Sequence, residues 1–227
     1  MDIIKHYAPK FNFLKSLIKN NTPSILEIGA HYGEDTLRLA QTFPQSTIYC
    51  FEPDPRNITI FKKYIKDENI FLFELALSNK DGEADFFLSY QESSGVPSKY
   101  DWISPEEYDS LQLNNSGSSS LKKGYQHILP SPTKVSTLRF DNWYKKHQIG
   151  KIDFAWVDVQ GSEKDVIEGM GKEIENIKYI WMEYGEQDYE GGMSWRETVD
   201  LLKTKNFIEI RTDSSGSKGD ILFKNNK

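Results

Sequence analysis

Two glycines on either side of a histidine give the first chemical signal in the sequence. Gly29 directly follows the apolar segment Ser24–Ile28, and Gly33 opens the next segment. Gly29 permits a tight turn off a strand, and Gly33 permits the start of a helix to pack close to a bound ligand. A nicotinamide-binding turn would need a glycine where His31 stands, so that the backbone could approach a pyrophosphate. His31 and the acidic Glu27 therefore indicate a nucleoside ligand that carries a cationic amine, as S-adenosylmethionine does.

A second acidic residue supports this interpretation. Glu52 ends the apolar segment Thr47–Phe51 and lies 19 residues after Gly33 (52 − 33 = 19). An acid about 20 residues beyond a glycine-rich turn binds the ribose hydroxyls in nucleoside-binding doubly wound folds. Either pattern alone is weak, because a glutamate at a strand end is often only solvated. Their order and their strand–turn–helix context together predict a nucleoside cofactor site.

Four motifs taken together resemble the FkbM family of S-adenosylmethionine-dependent methyltransferases. They are EIGAHYG at residues 27–33, FEPDP at 51–55, ALSNKDG at 76–82 and DVQGSE at 158–163. The motifs follow the order of the family, and the resemblance extends over most of the chain, from about residue 24 to residue 181. A serine-rich stretch at residues 118–121 resembles the family as well. His31 departs from the pattern, since the family more often has asparagine there.

The resemblance implies a class I methyltransferase fold of the α/β class. This is a Rossmann-like, three-layer fold with a mostly parallel seven-stranded sheet and an antiparallel last strand. The resemblance also implies O-methylation, commonly of sugar or polyketide hydroxyls. The resemblance further implies which residues contact the cofactor. Glu27, Gly29 and His31 would contact its methionine half, and Glu52 its ribose, with Pro53 beside it. Ala76 and Leu77 would lie at the adenine, and Asp158 and Gln160 next to the reactive methyl.

Methyl transfer to an aliphatic hydroxyl requires that the hydroxyl lose its proton, so a general base or a metal is expected. Asp158 follows an apolar strand at the functional edge and is the first candidate for a base or a substrate-orienting acceptor. Glu183 ends the neighbouring strand, and the two carboxylates could hold Mg²⁺, although the sequence does not predict a metal. Asp158 could instead cap the following helix. His127 is a further candidate base in a loop, where a lone histidine is more often inert.

Strand-like and helix-like segments alternate along most of the chain, which predicts a largely parallel sheet with helices on both faces. Ile70–Leu77 is predicted as a single strand, and a hairpin turn is predicted to lead from it into Glu83–Ser89. Residues 207–211 and 220–223 are predicted to form an antiparallel hairpin that closes one edge of the sheet. These elements predict one domain over residues 1–227.

One segment differs from this regular alternation. Between residues 90 and 132 apolar residues no longer recur at helical or strand spacing, and Ser, Asn, Gly and Pro are frequent. Long connections inside compact domains are usually functional lids or disordered segments. This one contains Trp102, Tyr108 and Tyr125, which a linker would not need. We interpret residues 90–132 as a lid-like insertion over the active face that carries the acceptor specificity.

Composition narrows the classes of partner. The chain has 227 residues and a net charge of −6, so it has no overall basic field to attract nucleic acid. A single cysteine and apolar runs far shorter than a membrane span predict a cytoplasmic protein without a disulfide. The expected partner is a small-molecule or glycan acceptor, and homo-oligomerisation stays open. Two alternatives remain: a cofactor-binding module that has lost catalysis and acts as a partner or regulator, and a nicotinamide-dependent oxidoreductase, which His31 disfavours.

Overall fold

The described parts of the chain contain two β-sheets, one of seven strands and one of three. The computed structural model describes residues 8–92, 102–125, 128–129, 131–186, 188–215 and 217–227. The strands are β1 (Ser24–Ile28), β2 (Thr47–Phe51), β3 (Ile70–Phe73), β4 (Ala76–Leu77), β5 (Gly82–Phe86), β6 (Thr133–Leu138), β7 (Ile152–Val157), β8 (Ile177–Gly185), β9 (Phe207–Ser215) and β10 (Lys218–Asn225). The helices are α1 (Ala8–Leu17), α2 (Glu34–Thr42), α3 (Pro55–Tyr64), α4 (Pro105–Ser110), α5 (Phe140–His147), α6 (Glu163–Gly169) and α7 (Trp195–Thr204).

The large sheet has the strand order β3-β2-β1-β7-β8-β10-β9. Neighbouring strands from β3 to β8 pair in parallel, whereas β10 pairs antiparallel with both β8 and β9. The predicted mostly parallel seven-stranded sheet with an antiparallel last strand is confirmed. The winding direction reverses between β1 and β7. Ligands of open α/β sheets bind at the carboxyl ends of the strands on either side of such a reversal.

Helices cover both faces of this sheet and bury its apolar side chains. On one face Trp143 of α5 and Leu202 of α7 pack into a core that is fully shielded from solvent. On the other face Leu14 of α1 and Phe61 of α3 pack into a second buried apolar core. Each large apolar side chain buried in this way contributes roughly 1.5–3 kcal/mol. The three-layer arrangement therefore follows from strands that are apolar on both faces, as β1 and β7 are.

Two helices that follow the first two strands begin with residues suited to a helix start. Helix α2 begins after Gly33 and has Glu34 and Asp35 in its first turn, where the helix dipole favours negative charge. Helix α3 has Asp54 as its N-cap, and the Asp54 carboxylate accepts a hydrogen bond from the Arg56 N–H at 2.9 Å. Both helix starts therefore lie directly beyond the carboxyl ends of β1 and β2.

A second, three-stranded sheet corrects two sequence predictions. The single strand predicted over Ile70–Leu77 divides into β3 and β4, which belong to different sheets. The predicted hairpin into Glu83–Ser89 is also wrong, because β4 and β5 both pair with β6 and not with each other. Thr137 of β6 lies opposite Ala76 on one side and opposite Gly82 on the other. Local apolar alternation cannot show that a distant strand enters between two neighbouring ones.

The segment predicted as an insertion carries short ordered elements where the structure describes it. Helix α4 is followed by a 3-10 turn at Ser116–Ser118, and isolated bridges join Phe87 to Ser120 and Gly124 to Tyr189. Tyr32 and Leu113 belong to a small apolar cluster between this segment and the large sheet's helices. Among the residues that the structure describes, no helix is long and apolar enough to cross a membrane.

Candidate active site

A cavity of about 490 Å³ lies at the carboxyl ends of β1, β2 and β7. It is lined by all the residues predicted to contact a cofactor except Gly33, namely Glu27, Gly29, His31, Glu52, Pro53, Ala76, Leu77, Asp158 and Gln160. The lining combines five acidic residues with apolar ones, which include Ile28 and Phe51. The structure therefore brings together residues that are up to 133 positions apart (160 − 27 = 133).

The two glycines of the first turn have different structural roles. Gly29 has φ +91°, and a Cβ built there would lie 1.8 Å from the carbonyl oxygen of Asp158. Gly29 therefore allows the turn after β1 to lie directly against the end of β7. Gly33 has φ +87°, but a Cβ at Gly33 would meet Ile65 and Phe61 of the neighbouring helical segment. The requirement for glycine at Gly33 comes from this internal packing and not from a close approach to a ligand, which corrects the prediction.

Glu27 is a buried acid on the wall of the cavity. Its Oε2 atom accepts hydrogen bonds from Thr36 Oγ1 at 2.5 Å and from Cys50 Sγ at 3.6 Å. Burial and the nearby Asp35 carboxylate raise the pKa of Glu27 well above its usual range. A ligand cation close to Glu27 would favour the ionised form, because an opposite charge lowers the pKa of a carboxyl group.

The Glu52 carboxylate is held by the turn after β1 and by the start of α3. The backbone N–H of His31 donates to Glu52 Oε2 at 2.8 Å, and the N–H of Asp54 donates to Oε1 at the same distance. Asn57 Nδ2 also donates to Oε1, at 3.2 Å. Burial and the Asp54 carboxylate raise the pKa of Glu52 to about 7. Since Oε1 already accepts two hydrogen bonds and Oε2 only one, Oε2 keeps the more accessible lone pair for a ligand hydroxyl.

The His31 side chain links this turn to the insertion. Its Nδ1 lies 2.8 Å from Glu34 Oε1, and its Nε2 lies 3.1 Å from Ser116 Oγ. Burial lowers the pKa of His31, but the charge and hydrogen bond of Glu34, with Glu52 and Asp54 nearby, outweigh it and raise the pKa above its usual value. The protonated ring, in which both nitrogens donate, is therefore more stable relative to the neutral ring than in an isolated histidine.

Asp158 and Glu183 are brought together by one side-chain amide. Asp158 directly follows β7, and its Oδ1 atom accepts a hydrogen bond from Gln160 Nε2 at 2.5 Å. The same nitrogen donates to Glu183 Oε2 at 2.8 Å. Burial and the neighbouring Asp158 carboxylate raise the pKa of Glu183 far above its usual range, so Glu183 retains a proton at neutral pH. Of these two carboxyl groups, Glu183 is therefore the less suited to accept a proton from a substrate.

The alternative role of Asp158 as a helix cap is wrong. The N-cap residue of α6 is Ser162, and Glu163 turns back so that its Oε1 accepts hydrogen bonds from the N–H groups of Val159 and Gly161, both at 3.2 Å. Burial raises the pKa of Glu163 to about 7. The Asp158 carboxylate is therefore available at the cavity wall. His127, the third candidate base, lies outside the described residues.

A buried ion pair fastens the insertion beside the cavity. Arg56 Nη2 lies 2.7 Å from Asp54 Oδ2 and 3.0 Å from Ser119 Oγ. Arg56 Nη1 donates to the carbonyl oxygens of Ser89 and Gln112 at 3.1 and 2.9 Å. This guanidinium therefore joins the start of α3 to the residue before the insertion, Ser89, and to two residues within it, Gln112 and Ser119.

A comparison with known families identifies the family of the chain. The profile of the Methyltransferase FkbM domain matches residues 27–209. The chain belongs to the FkbM methyltransferase family. It is similar to the 2-O-methyltransferase NoeI of Sinorhizobium fredii, with 33% identity over 219 residues that cover 93% of this chain and 83% of that protein.

Solved structures agree with the fold of this FkbM methyltransferase. A putative rRNA methylase from Clostridium thermocellum superposes with a TM-score of 0.52 at 11% identity, covering 96% of this chain and 93% of that one. Aeropyrum pernix fibrillarin, solved with natively bound S-adenosylmethionine, gives a TM-score of 0.51 at 13% identity and covers 96% of this chain and 74% of that one. At these identities the similarity shows the class I methyltransferase fold alone.

The FkbM methyltransferase uses S-adenosylmethionine as its cofactor, and the cavity fits this group chemically. The buried carboxyl of Glu27 suits an amine cation, and Glu52 suits the hydroxyls of a ribose. The apolar side chains of Phe51 and Leu77 suit an adenine ring. Within the described residues, no group of three or more His, Cys, Asp or Glu side chains could hold a metal ion.

Several cavity residues were not predicted from the sequence. They include Tyr32, Asn57, Trp156 and the insertion residues 113–117 and 119. Asn57 follows Glu52 by five positions (57 − 52 = 5), and a helix starting at the proline before it turns that residue back towards Glu52. The spacing between Glu52 and Asn57 could therefore have predicted that Asn57 lies at the cavity. The contact of Tyr32 with the insertion, through hydrogen bonding to the Leu113 carbonyl at 2.8 Å, had no signal in the sequence.

Proposed function

We propose that this FkbM enzyme transfers a methyl group from S-adenosylmethionine to a hydroxyl group of a sugar, a glycan or a natural-product small molecule. The observation that carries the proposal is the similarity to a protein named a 2-O-methyltransferase over 93% of the chain, because it specifies oxygen as the accepting atom. The carboxylate of Asp158 on the cavity wall supports it, since an alcohol needs a proton acceptor.

When bound, S-adenosylmethionine supplies an electrophilic methyl group. Glu27 would hold the amine of the cofactor, and Glu52 would accept hydrogen bonds from its ribose. Asp158 orients the acceptor hydroxyl and takes its proton as the oxygen becomes a nucleophile. Glu183 keeps its own proton, because burial and the Asp158 carboxylate raise its pKa, and we therefore assign the role of base to Asp158.

The insertion encloses the acceptor in this proposal. Insertion residues Asn114, Ser116 and Ser119 line the cavity beside the turn after β1, and their polar groups suit the hydroxyls of a sugar. Enclosure excludes water, which would otherwise compete with the acceptor hydroxyl.

The cytoplasm is the proposed compartment, because Cys50 is a buried free thiol.

Methyl transfer to a panel of acceptors tests the proposal. The purified protein is incubated with methyl-labelled S-adenosylmethionine and mono- and oligosaccharides, and the methylated position is identified by mass spectrometry. We expect an O-methyl product from at least one acceptor and none from the matching acceptor whose hydroxyl is blocked. Saturable binding of S-adenosylhomocysteine without transfer to any acceptor would instead support the inactive module, and transfer to nitrogen alone would overturn the proposed chemistry.

A further inference from the structure

The side chain of Gln160 is held in one orientation by a tyrosine that lies behind the cavity wall. The Tyr189 hydroxyl lies 2.9 Å from Gln160 Oε1 and 2.9 Å from the carbonyl oxygen of Ser118. Burial raises the pKa of Tyr189, so the hydroxyl keeps its single proton, which it shares between these two acceptor oxygens. Because Oε1 accepts from Tyr189, the Gln160 nitrogen faces Asp158 and Glu183. The 2.5 Å contact with Asp158 needs a donor, which the reversed amide would not provide.

The local backbone is shaped around this contact. Gln160 has φ +55°, a left-handed conformation that is uncommon for a residue with a side chain. Gly161 has φ +92°, and a Cβ there would lie 2.4 Å from Cβ of Tyr189. The turn after β7 therefore leaves room for the tyrosine directly beneath the Gln160 amide. Unusual backbone conformations of this kind persist where the surrounding structure fixes them, commonly at functional sites.

The segment that carries the tyrosine is joined to the insertion through the backbone. Gly124 and Tyr189 form an antiparallel bridge, and the N–H of Glu190 donates to the carbonyl oxygen of Lys123 at 3.0 Å. The Tyr189 hydroxyl also reaches Ser118, in the 3-10 turn of the same insertion. The position of the insertion therefore sets the position of the tyrosine hydroxyl.

We propose that Tyr189 is a positioning residue that links residues 118–124 of the insertion to the orientation of the Asp158 carboxylate. Ser118, Lys123 and Gly124 hold the tyrosine in place. Its hydroxyl orients the Gln160 amide, and the amide in turn holds Asp158 and Glu183 so that Asp158 is fixed to receive the acceptor proton. The inference rests on the proposed function in that it takes Asp158 to be the proton acceptor.

The Tyr189→Phe variant tests this proposal, because it retains the buried ring and removes only the hydroxyl. We expect kcat for methyl transfer to fall about 10-fold to 100-fold, the range that small misplacements of reacting groups produce. The Kd for S-adenosylhomocysteine, measured by calorimetry, should stay within about twofold of the wild-type value, since the affected groups position the acceptor side. Tyr144→Phe is the matched control, because that hydroxyl bonds the Gly150 carbonyl away from the cavity, and its kcat should be unchanged.

A second measurement does not depend on turnover. The side-chain amide signals of Gln160 in a ¹⁵N-labelled protein, assigned by their loss in Gln160→Leu, should shift and exchange faster with solvent in Tyr189→Phe. Unchanged amide signals, or a kcat within twofold of wild type, would overturn the proposal. If the wild-type protein methylates no acceptor, the proposed function fails, while the amide signals still report whether Tyr189 holds Gln160.

Discussion

The backbone N–H of His31 donates a 2.8 Å hydrogen bond to the carboxylate of Glu52. This bond ties the turn after the first strand to the acid after the second, and both residues line one cavity. Two residues that lie 21 positions apart in the chain (52 − 31 = 21) therefore contribute to the wall of a single cavity.

The first prediction concerns this carboxylate. Glu52→Gln should weaken binding of S-adenosylhomocysteine about 10-fold to 100-fold, because charge-assisted hydrogen bonds are worth roughly 1.5–3 kcal/mol. Calorimetry measures the Kd, and a thermal melt shows that the variant is folded. Because the pKa of Glu52 is raised to about 7, wild-type affinity should rise between pH 6 and pH 8 as the carboxyl ionises. An equal, pH-independent Kd in both proteins would exclude the ribose role.

The second prediction separates the two acids beside Gln160. Asp158→Asn should lower kcat by about 10²-fold to 10⁴-fold, the contribution of a general base, and leave the Kd of S-adenosylhomocysteine nearly unchanged. Glu183→Gln should lower kcat by less than about 10-fold, since Glu183 already carries a proton at neutral pH. Steady-state kinetics with one acceptor compares the two variants. A larger loss for Glu183→Gln than for Asp158→Asn would reverse the assignment.

The third prediction uses the pH dependence of stability. The pKa of Glu163 rises from 4.5 to about 7 on folding, so the native state binds this proton more tightly than the unfolded state does. The Glu163 contribution to the free energy of unfolding should therefore decrease by at most about 3 kcal/mol as pH rises from about 4.5 to 7. Above pH 7 this contribution should stay level. Glu163→Gln should remove this loss of stability and should be more stable than the wild-type protein at pH 7.5.

Urea denaturation at pH 5 and pH 7.5 measures the difference. The exposed Glu68 supplies the control, and Glu68→Gln should show the wild-type dependence on pH. If Glu163→Gln and wild type lose equal stability between the two pH values, burial of this carboxyl does not carry the effect.

The fourth prediction concerns the anchor of the insertion. Arg56→Ala leaves the buried Asp54 carboxylate unpaired and should lower the free energy of unfolding by about 3–5 kcal/mol. It should also speed protease cleavage within residues 90–132, because the carbonyl oxygens of Ser89 and Gln112 lose their donor. Limited proteolysis with mass spectrometry locates the cuts. Arg196→Ala, at an exposed position of α7, should change neither quantity.

The fifth prediction concerns the first turn. Gly29→Ala should destabilise the fold by about 2–5 kcal/mol, since it adds both left-handed strain and a Cβ that meets the Asp158 carbonyl oxygen. Gly150→Ala is the matched control, because a Cβ there meets nothing within 4 Å. Chemical denaturation compares the two. Equal stabilities would show that the turn can move away from β7 without cost.

Several features of the protein could be read from its residues because they depend on local order. The apolar segments that became β1 and β2 keep their predicted bounds, and Glu27 and Glu52 lie at their ends, as expected. Parallel strands place their carboxyl ends on one edge, so a strand pattern alone predicts that these acids face one crevice. The division of Ile70–Leu77 between two sheets could not be predicted, because it depends on β6, which follows more than 50 residues later (133 − 77 = 56).

By itself the sequence determined the α/β class, the position of a cavity at the strand ends and many of the residues that line it, because periodicity and strand-end position are properties of neighbouring residues. Only the tertiary structure decided what each acid does there. Asp158 faces the cavity while Glu163 takes the helix N–H groups, and Glu183 retains its proton because burial and Asp158 disfavour its charge. Tyr189 reaches the cavity-lining residue Gln160 across 29 positions (189 − 160 = 29). Desolvation, charge proximity and hydrogen-bond partnership depend on distances in space, and no spacing in the chain specifies them.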